Sequence, residues 1–252
     1  TYTRDGVGAS CGTSEATGNT APVVNAGSDY IVPKQTPLVI EGSATDPEQQ
    51  TLLFSWEQRD LGPQAALSDP DDGQVPLFRM LDAAGSPIRY LPAFATVLSG
   101  IQDQKERLPQ VGRDMAMRLT VKDSAGGVQS DDIVLTVDAD SGPFRVTSPN
   151  GGERVGQTKT IRWDTGFTEQ APVNTALVDI FLSTDNGANF DQLIDTVDNL
   201  GSANITFPAG IQSQSARLMI KAVGNVFYDV SDAAFEIDSD RLVPPAPVLD
   251  RV

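Results

Sequence analysis

Carboxylates are the side chains in this sequence with the widest choice of chemistry. The chain has 252 residues, with 34 Asp and Glu, 18 Lys and Arg, and no His. Without imidazole there is no Ser-His-Asp triad, no Cys-His nucleophile and no HExxH zinc helix, because each needs a base or ligand that titrates near neutral pH. The carboxylates can still act as a glycosidase-type pair or bind hard cations such as calcium.

Two groups of carboxylates lie close together in the sequence. Asp69, Asp71 and Asp72 fall in a loop rich in Pro and Gly, and Asp131 and Asp132 are adjacent. Side chains in such loops are typically solvated or bound to cations. We therefore interpret these groups as solvated or cation-binding residues rather than as a catalytic pair.

Residues 183–190 fit an Asp-box, Ser-x-Asp-x-Gly-x-x-aromatic. Asp185 is expected to accept hydrogen bonds from turn amides, and Asn186 with Gly187 to supply the positive-φ geometry of a tight turn. Phe190 is expected to pack beneath the hairpin. The pattern predicts a structural turn, and a weak cation or sugar contact is the alternative.

Short β-strands must position these residues. Runs rich in β-branched and aromatic residues recur between turn residues, and residues 115–122 alternate strictly between apolar and polar positions, which favours half-buried strands of antiparallel sandwiches. The predicted strands are 37–42, 52–56, 115–122, 133–137, 144–146, 160–163, 178–182, 204–207, 217–221 and 234–237.

The chain length suits two domains of ordinary size. The sequence predicts an all-β fold with two tandem immunoglobulin-like antiparallel β-sandwiches. The predicted divisions are a tail or linker at 1–20, a first sandwich at 21–140, a second at 143–238 and a Pro-rich linker at 239–252. An insertion at about 59–114 interrupts the first sandwich, and small strands are expected within it at 77–81 and 88–91.

Composition excludes several classes of function. A net charge of −16 argues against nucleic acid as a partner, because binding phosphates requires a basic face. No apolar run approaches the roughly 20 residues of a membrane span. One cysteine cannot form a disulfide framework or a zinc cluster. Because the sequence lacks an initial Met and a leader and ends in a Pro-rich run, we expect it to belong to a longer chain.

Aromatic side chains are candidates for stacking on sugars. Trp56 shares a strand face with Phe54, and Trp163 with Ile161, so both Trp residues are predicted to be core residues. The remaining candidates, expected to be exposed in the insertion and in the last loop, are Tyr90, Phe94, Phe227 and Tyr228.

Long strings of the sequence resemble the region downstream of the catalytic domain in secreted bacterial reprolysin-like zinc metallopeptidases. They include CGTSEATGNTAPVVNAGSDYIVP, TPLVIEGSATDPEQQTLLFSWEQRDLGP, RDMAMRLTVKDSAGG and VDIFLSTDNGANF. The resemblance covers residues 1–238. It implies a polycystic-kidney-disease-type (PKD-like) immunoglobulin sandwich at 21–138 and a further β-sandwich at 143–238. The family's zinc motif, HExxHxxGxxH, is absent here, so zinc and endopeptidase activity would belong to a parent polypeptide.

The resemblance also implies calcium. PKD-like domains often bind it through an Asn before the first strand, an acidic pair after the second and an Asp after the penultimate one. These positions correspond to Asn19, to Asp46 with Glu48, and to Asp123. Glu48 departs from the usual Asp-x-Asp pair, which would weaken the site or change its geometry. In the alternative, Asp46 and Asp123 only cap turns.

Cys11 has two interpretations. The resemblance implies a disulfide to a cysteine upstream of this sequence, and the alternative is a free thiol.

The expected function is that of a non-catalytic accessory region of a secreted zinc metallopeptidase, serving substrate or surface binding and spacing. Its expected partners are the upstream protease domain and an extracellular protein or polysaccharide. The alternative is a cell-surface adhesion or structural module that is stiffened by calcium and has no protease attached.

Overall fold

The structure is a computed structural model that describes residues 18–241. Cys11, nearly all of the predicted N-terminal tail and most of the predicted C-terminal linker lie outside this range. The first half contains β1 (Val23–Asn25), β2 (Tyr30–Pro33), β3 (Leu38–Glu41), β4 (Ser43–Thr45), β5 (Leu53–Gln58), β6 (Ile88–Leu91), α1 (Phe94–Ser99), β7 (Arg113–Lys122) and β8 (Val128–Asp138). The second half contains β9 (Arg145–Ser148), β10 (Arg154–Val155), β11 (Thr158–Asp164), β12 (Leu177–Ser183), β13 (Gln192–Asp198), β14 (Ser202–Thr206), β15 (Gln212–Ala222), β16 (Tyr228–Val230) and β17 (Phe235–Asp238).

The first sandwich has one four-stranded sheet in the order β2-β8-β7-β5, in which β2 runs parallel to β8. The pairs β1–β4 and β3–β6 supply the opposing strands. Gly42, between β3 and β4, lies directly against the four-stranded sheet. A β-carbon there would be 2.3 Å from Leu119 Cδ2 and 3.2 Å from Trp56 Cζ2, so only glycine allows this approach.

The second sandwich pairs a sheet in the order β10-β17-β15-β12-β13, with β16 also on β15, with a sheet in the order β14-β11-β9. Alternation buries Ile161 and Trp163 of β11 on one face. The indole N–H of Trp163 donates to Asn199 Oδ1 at 2.8 Å, which satisfies a buried donor. The predicted all-β, immunoglobulin-like fold is confirmed.

Most predicted strands have counterparts in the structure. In β7 the apolar positions Met115, Met117, Leu119 and Val121 are all at most 1% exposed, as strict alternation indicates. In the insertion, β6 confirms the expected strand at 88–91. The expected strand at 77–81 is wrong, because this segment forms only an isolated bridge at Phe78. Strand pairing separates β1–β8 from β9–β17, while the residue bounds of the two domains stay a prediction.

The two sandwiches are in direct contact through the edge of β3. The N–H of Val39 donates to the carbonyl of Val226 at 2.7 Å, and the N–H of Tyr228 donates to the carbonyl of Pro37 at 3.0 Å. Beside them, the rings of Phe144 and Phe227 pack edge to face with centroids 5.1 Å apart. One cluster of buried apolar side chains consequently runs through both sandwiches.

Candidate functional site

The predicted calcium residues come together at one end of the first sandwich. Asn19 precedes β1, Asp46 follows β4 and Asp123 follows β7. The amide of Asn19 donates to Asp123 Oδ2 at 2.9 Å. Gln50 links this pair to the turn of Asp46, because its side-chain amide donates to Asn19 Oδ1 at 2.6 Å and its backbone N–H donates to Asp46 Oδ1 at 2.8 Å.

Asp123 holds the turn between β7 and β8. Its Oδ1 accepts the backbone N–H groups of Ala125 and Gly127, both at 2.8 Å. The hydrogen bond from Asn19, followed by those from the turn amides, lowers the pKa of Asp123 below its ordinary value. The turn-capping role that the sequence left open for Asp123 is therefore present.

Asp46 and Glu48 differ in their surroundings. Asp46 Oδ2 is buried and has no hydrogen-bond partner among residues 18–241. Glu48 accepts from the hydroxyl of Thr20 at 2.8 Å and from its backbone N–H at 3.4 Å. Glu48 thus holds the backbone at Thr20, next to Asn19. Asp46 Oδ2 has room to accept a further bond within the described part of the chain.

The donor set at this end suits a hard cation in kind. Asn19, Asp46 and Asp123 supply amide and carboxylate oxygens, which are the ligands that calcium takes. Within residues 18–241, however, no three His, Cys, Asp or Glu side chains converge closely enough to hold a metal ion. Gln50 is the residue that sequence reasoning missed, and its place four residues after Asp46 was the available signal. Calcium binding stays a prediction.

The two carboxylate groups singled out in the sequence, in residues 69–72 and 131–132, have structural roles. Asp71 forms a buried ion pair with Arg113 at 2.8 Å, and Asp132 pairs with both nitrogens of the Arg118 fork at 2.6 Å. Asp72 accepts two backbone N–H groups of its own turn, which lowers its pKa. Backbone N–H groups of Ala66 and Ala26 donate to Asp69 and Asp131, respectively.

The Asp-box forms the predicted turn. Asp185 accepts from the hydroxyl of Ser183 at 2.6 Å and from the side-chain and backbone N–H groups of Asn189 at 2.7 and 3.0 Å. These bonds, with that from Ser183 the largest cause, lower the pKa of Asp185 to about 2. Asn186 and Gly187 have φ values of 61° and 89°, so the expected positive-φ geometry is confirmed.

The turn also forms a contact surface for the insertion. A β-carbon on Gly187 would lie 2.6 Å from Leu98 Cδ2 of α1, and the ring of Phe190 packs edge to face on Phe94 with centroids 6.0 Å apart. Sequence reasoning missed this helix. The available signal was the four-residue spacing of Phe94 and Leu98, which places both side chains on one face of a helix.

The aromatic candidates lie in the contact between the sandwiches. Phe227 and Tyr228 are fully buried, so the expectation that they are exposed is wrong. The cause is the backbone pairing with β3, which covers the loop before β16. Tyr90 and Phe94 are partly buried and pack with their rings 4.8 Å apart. We name the cluster of Tyr90, Phe94, Phe190 and Tyr228 the joint. The predicted core positions of Trp56 and Trp163 are confirmed, at 5% and 4% exposure.

Comparison with known proteins identifies no family. No family model matches the sequence, and a search of the curated proteins finds no match. The tandem Ig repeats of Dlar share 11% identity and a TM-score of 0.40, covering 86% of this chain and 97% of that one. The Ig1-2 module of the Drosophila receptor protein tyrosine phosphatase DLAR shares 12% identity and a TM-score of 0.40, covering 87% and 99%. The FN1-FN3 domains of chicken CNTN1 share 10% identity and a TM-score of 0.30, covering 88% and 68%.

These likenesses concern architecture alone, and none of the comparisons links the chain to a metallopeptidase. Between residues 18 and 241, no helix has the length and apolar character needed to cross a membrane.

The Asp-box carboxylate makes stability depend on pH. Because the pKa of Asp185 is lower in the folded state than in the unfolded state, its ionised carboxylate stabilises the fold. This stabilisation is fully present above about pH 4, the unfolded-state pKa, and is lost as the pH falls through about 2. We expect the difference in unfolding free energy between wild type and Asp185→Asn to be constant from pH 7 to 5 and to shrink below pH 4. Urea unfolding at several pH values measures it, and a difference independent of pH would contradict this role.

Proposed function

We propose that this chain is a non-catalytic binding and spacing module, in which two immunoglobulin-like sandwiches act as one stiff unit. The observation that carries this proposal is the joint. Aromatic rings, a helix and backbone hydrogen bonds connect the sandwiches, whereas a flexible linker alone would leave their relative orientation free.

The backbone contact makes the joint stiff. The N–H groups of Val39 and Tyr228 are bonded across the two sandwiches at 2.7 and 3.0 Å. Separating the domains would expose these groups together with the cluster of buried apolar side chains around Val39. Both costs act against bending, because burial and backbone pairing are lost in the same motion.

The peptide segment that connects the sandwiches is also held. The N–H of Gly142 donates to the carbonyl of Gly166 at 2.7 Å, and the N–H of Lys34 donates to the carbonyl of Ser141 at 3.0 Å. The N–H of Phe144 donates to the buried Thr36 hydroxyl at 2.9 Å. The short connection thus adds fixed hydrogen bonds on both sides of the boundary.

A polar substitution on α1 tests the spacing role. Leu98→Asp places a charge against the Asp-box turn and is expected to loosen the joint, because it replaces the apolar contact between the half-buried Leu98 and Gly187 with a polar group that favours solvent. Leu61→Asp is the matched control in the same insertion, since Leu61 is 100% exposed. Spin labels at Val128→Cys and Leu193→Cys, in a Cys11→Ser background, report the distance between the sandwiches.

We expect one narrow distance distribution for the background protein and for Leu61→Asp, and a broadened one for Leu98→Asp. A distribution that stays narrow in a folded Leu98→Asp variant would mean that α1 does not stiffen the joint. A broad distribution in the background protein would remove the spacing role altogether.

The proposed parent is a secreted bacterial zinc metallopeptidase, for which the module would bind substrate or a surface. The support is the long resembling strings and the absence of His from this chain. The reading frame upstream of Thr1 tests this: we expect an HExxHxxGxxH segment and a secretory leader. Further sandwich repeats without that segment would favour the adhesion alternative instead.

Calcium at the end formed by Asn19, Asp46, Glu48 and Asp123 is part of the proposal and is also what the adhesion alternative requires. Asp46 Oδ2 supports it, because this oxygen is buried without a hydrogen-bond partner in the described part of the chain. There calcium would supply positive charge and cross-link the loops before β1, after β4 and after β7.

Calcium removal provides the test. A dissociation constant of about 0.1 mM would stabilise the fold by about 1.4 kcal/mol at about 1 mM calcium. For a unit of this size the melting temperature should fall by about 3 to 6 °C in chelator. Calorimetry of wild type, Asp46→Ala and the exposed control Asp198→Ala measures it. The shift should persist in Asp198→Ala and vanish in Asp46→Ala, and an unchanged wild-type melt would remove the site.

A further inference from the structure

A cleft of about 900 Å³ opens between the insertion and the second sandwich. This volume lies in the range of ligand-binding clefts. One wall comes from residues 92–110 of the insertion, and the other comes from β9 and the region of β16. Its ionisable lining residues are Asp69, Asp71, Asp103, Glu106, Arg107, Arg145, Asp229 and Asp232.

The carboxylates of the insertion wall include two with buried cationic partners. Asp71 is paired with Arg113 at 2.8 Å, and Glu106 is paired with Arg89. Burial of these charges is therefore compensated within the protein. These two ion pairs account for the buried carboxylates of this wall, so no ligand is needed to explain them.

The opposite wall is different. Asp229 Oδ2 accepts the N–H of Val146 at 2.7 Å, and Asp232 Oδ2 accepts the amide of Asn150 at 2.6 Å. In the described part of the chain, neither carboxylate has a Lys or Arg nitrogen within ion-pair distance. Asp229 thus lines the cleft with a desolvated carboxyl that accepts the backbone N–H groups of Val146 and Val230, and among the described residues the charge of Arg145 acts on it without forming an ion pair.

We propose that this cleft binds an organic cation, an ammonium or guanidinium group, through Asp229 with the help of Asp232. A cation bound here would replace the solvation that Asp229 loses on burial. It would also offset the repulsion between the carboxylates of Asp229 and Asp232. A guanidinium matches a carboxylate in planar geometry and donates several hydrogen bonds. The proposal deepens the binding role of the proposed function and rests on it.

The protonation of Asp229 supplies a second signature. Burial, the largest cause, and the neighbouring charge of Asp232 raise the pKa of Asp229 to about 7, while the N–H groups of Val146 and Val230 and the charge of Arg145 oppose this rise. Arg107 and Glu106 line the same cleft from the insertion. Below pH 7 Asp229 is mainly neutral, so a permanently charged guanidinium should bind more tightly as the pH rises from 6 to 8, and binding near pH 6.5 should release protons.

Calorimetric titration of the full chain tests the proposal with three probes. They are the acetylated and amidated tripeptide Gly-Arg-Gly, its neutral citrulline isostere, and agmatine. We expect the arginine peptide to bind at least tenfold more tightly than the citrulline peptide, with affinity increasing from pH 6 to 8. Agmatine binding as tightly as the peptide would assign the site to small amines, whereas preference for the peptide would assign it to a polypeptide side chain.

Substitutions assign the binding to the cleft. Asp229→Asn keeps an oxygen for the Val146 N–H and should weaken binding at least tenfold and abolish its pH dependence. Asp198→Asn, which removes the same charge from an exposed position outside the cleft, should leave both unchanged. Equal binding of the arginine and citrulline peptides, or equal weakening by both substitutions, would overturn the proposal. Binding of calcium or manganese alone, lost in Asp229→Asn, would overturn it in favour of a metal site. A failed titration with the narrow distance distribution intact would remove this ligand and leave the spacing role standing.

Discussion

Backbone hydrogen bonding at the free edge of β3 fixes the relation between the two sandwiches. A strand edge in a protein interior must find partners for its N–H and carbonyl groups, because unpaired buried backbone groups are costly. One edge of β3 pairs with β6. On the other side, the carbonyl of Val226 accepts the N–H of Val39, and the N–H of Tyr228 donates to the carbonyl of Pro37. Tyr228 and Phe227 then have no route to solvent, and their burial follows from the backbone pairing. The cleft exists because this contact fixes one wall against the other.

The Asp-box turn contributes to the same arrangement. Its internal bonds, centred on Asp185, hold the loop in a shape that leaves Gly187 facing α1. A side chain at position 187 would be excluded twice, by a φ of 89° and by the nearness of Leu98. A helix of six residues has little stability of its own, and Gly100 ends it in a left-handed conformation. The turn and the helix therefore depend on each other, and the rigidity of the turn is transmitted to the insertion.

The parts of the fold that could be predicted are those governed by local pattern. Strict alternation located β7, and a shared strand face indicated that Trp163 is buried. The short α1 and the contact around Phe227 could not be predicted, because both depend on surfaces far away in the sequence. The loop before β16 has the composition of an exposed turn, and Tyr228 at the start of β16 is buried because its backbone pairs with Pro37, next to β3. At the predicted calcium end the resemblance to PKD-like domains implied that Asn19 and Asp123 lie together, while the linking role of Gln50 needed the three-dimensional arrangement.

The distribution of carboxylate partners separates solubility from recognition. Asp71 and Asp132 are neutralised by arginines, while Asp72, Asp123 and Asp185 hold turns. These carboxylates have structural roles that need no ligand. A surplus that served solubility alone would lie on open surface, where water solvates charge at little cost. Asp229 is instead desolvated in a cleft, without an ion-pair partner in the described chain, and its burial disfavours the ionised form. Because this cost brings no ion pair within residues 18–241, a cation from outside is the compensation that the geometry leaves open, and the net charge of −16 would attract it.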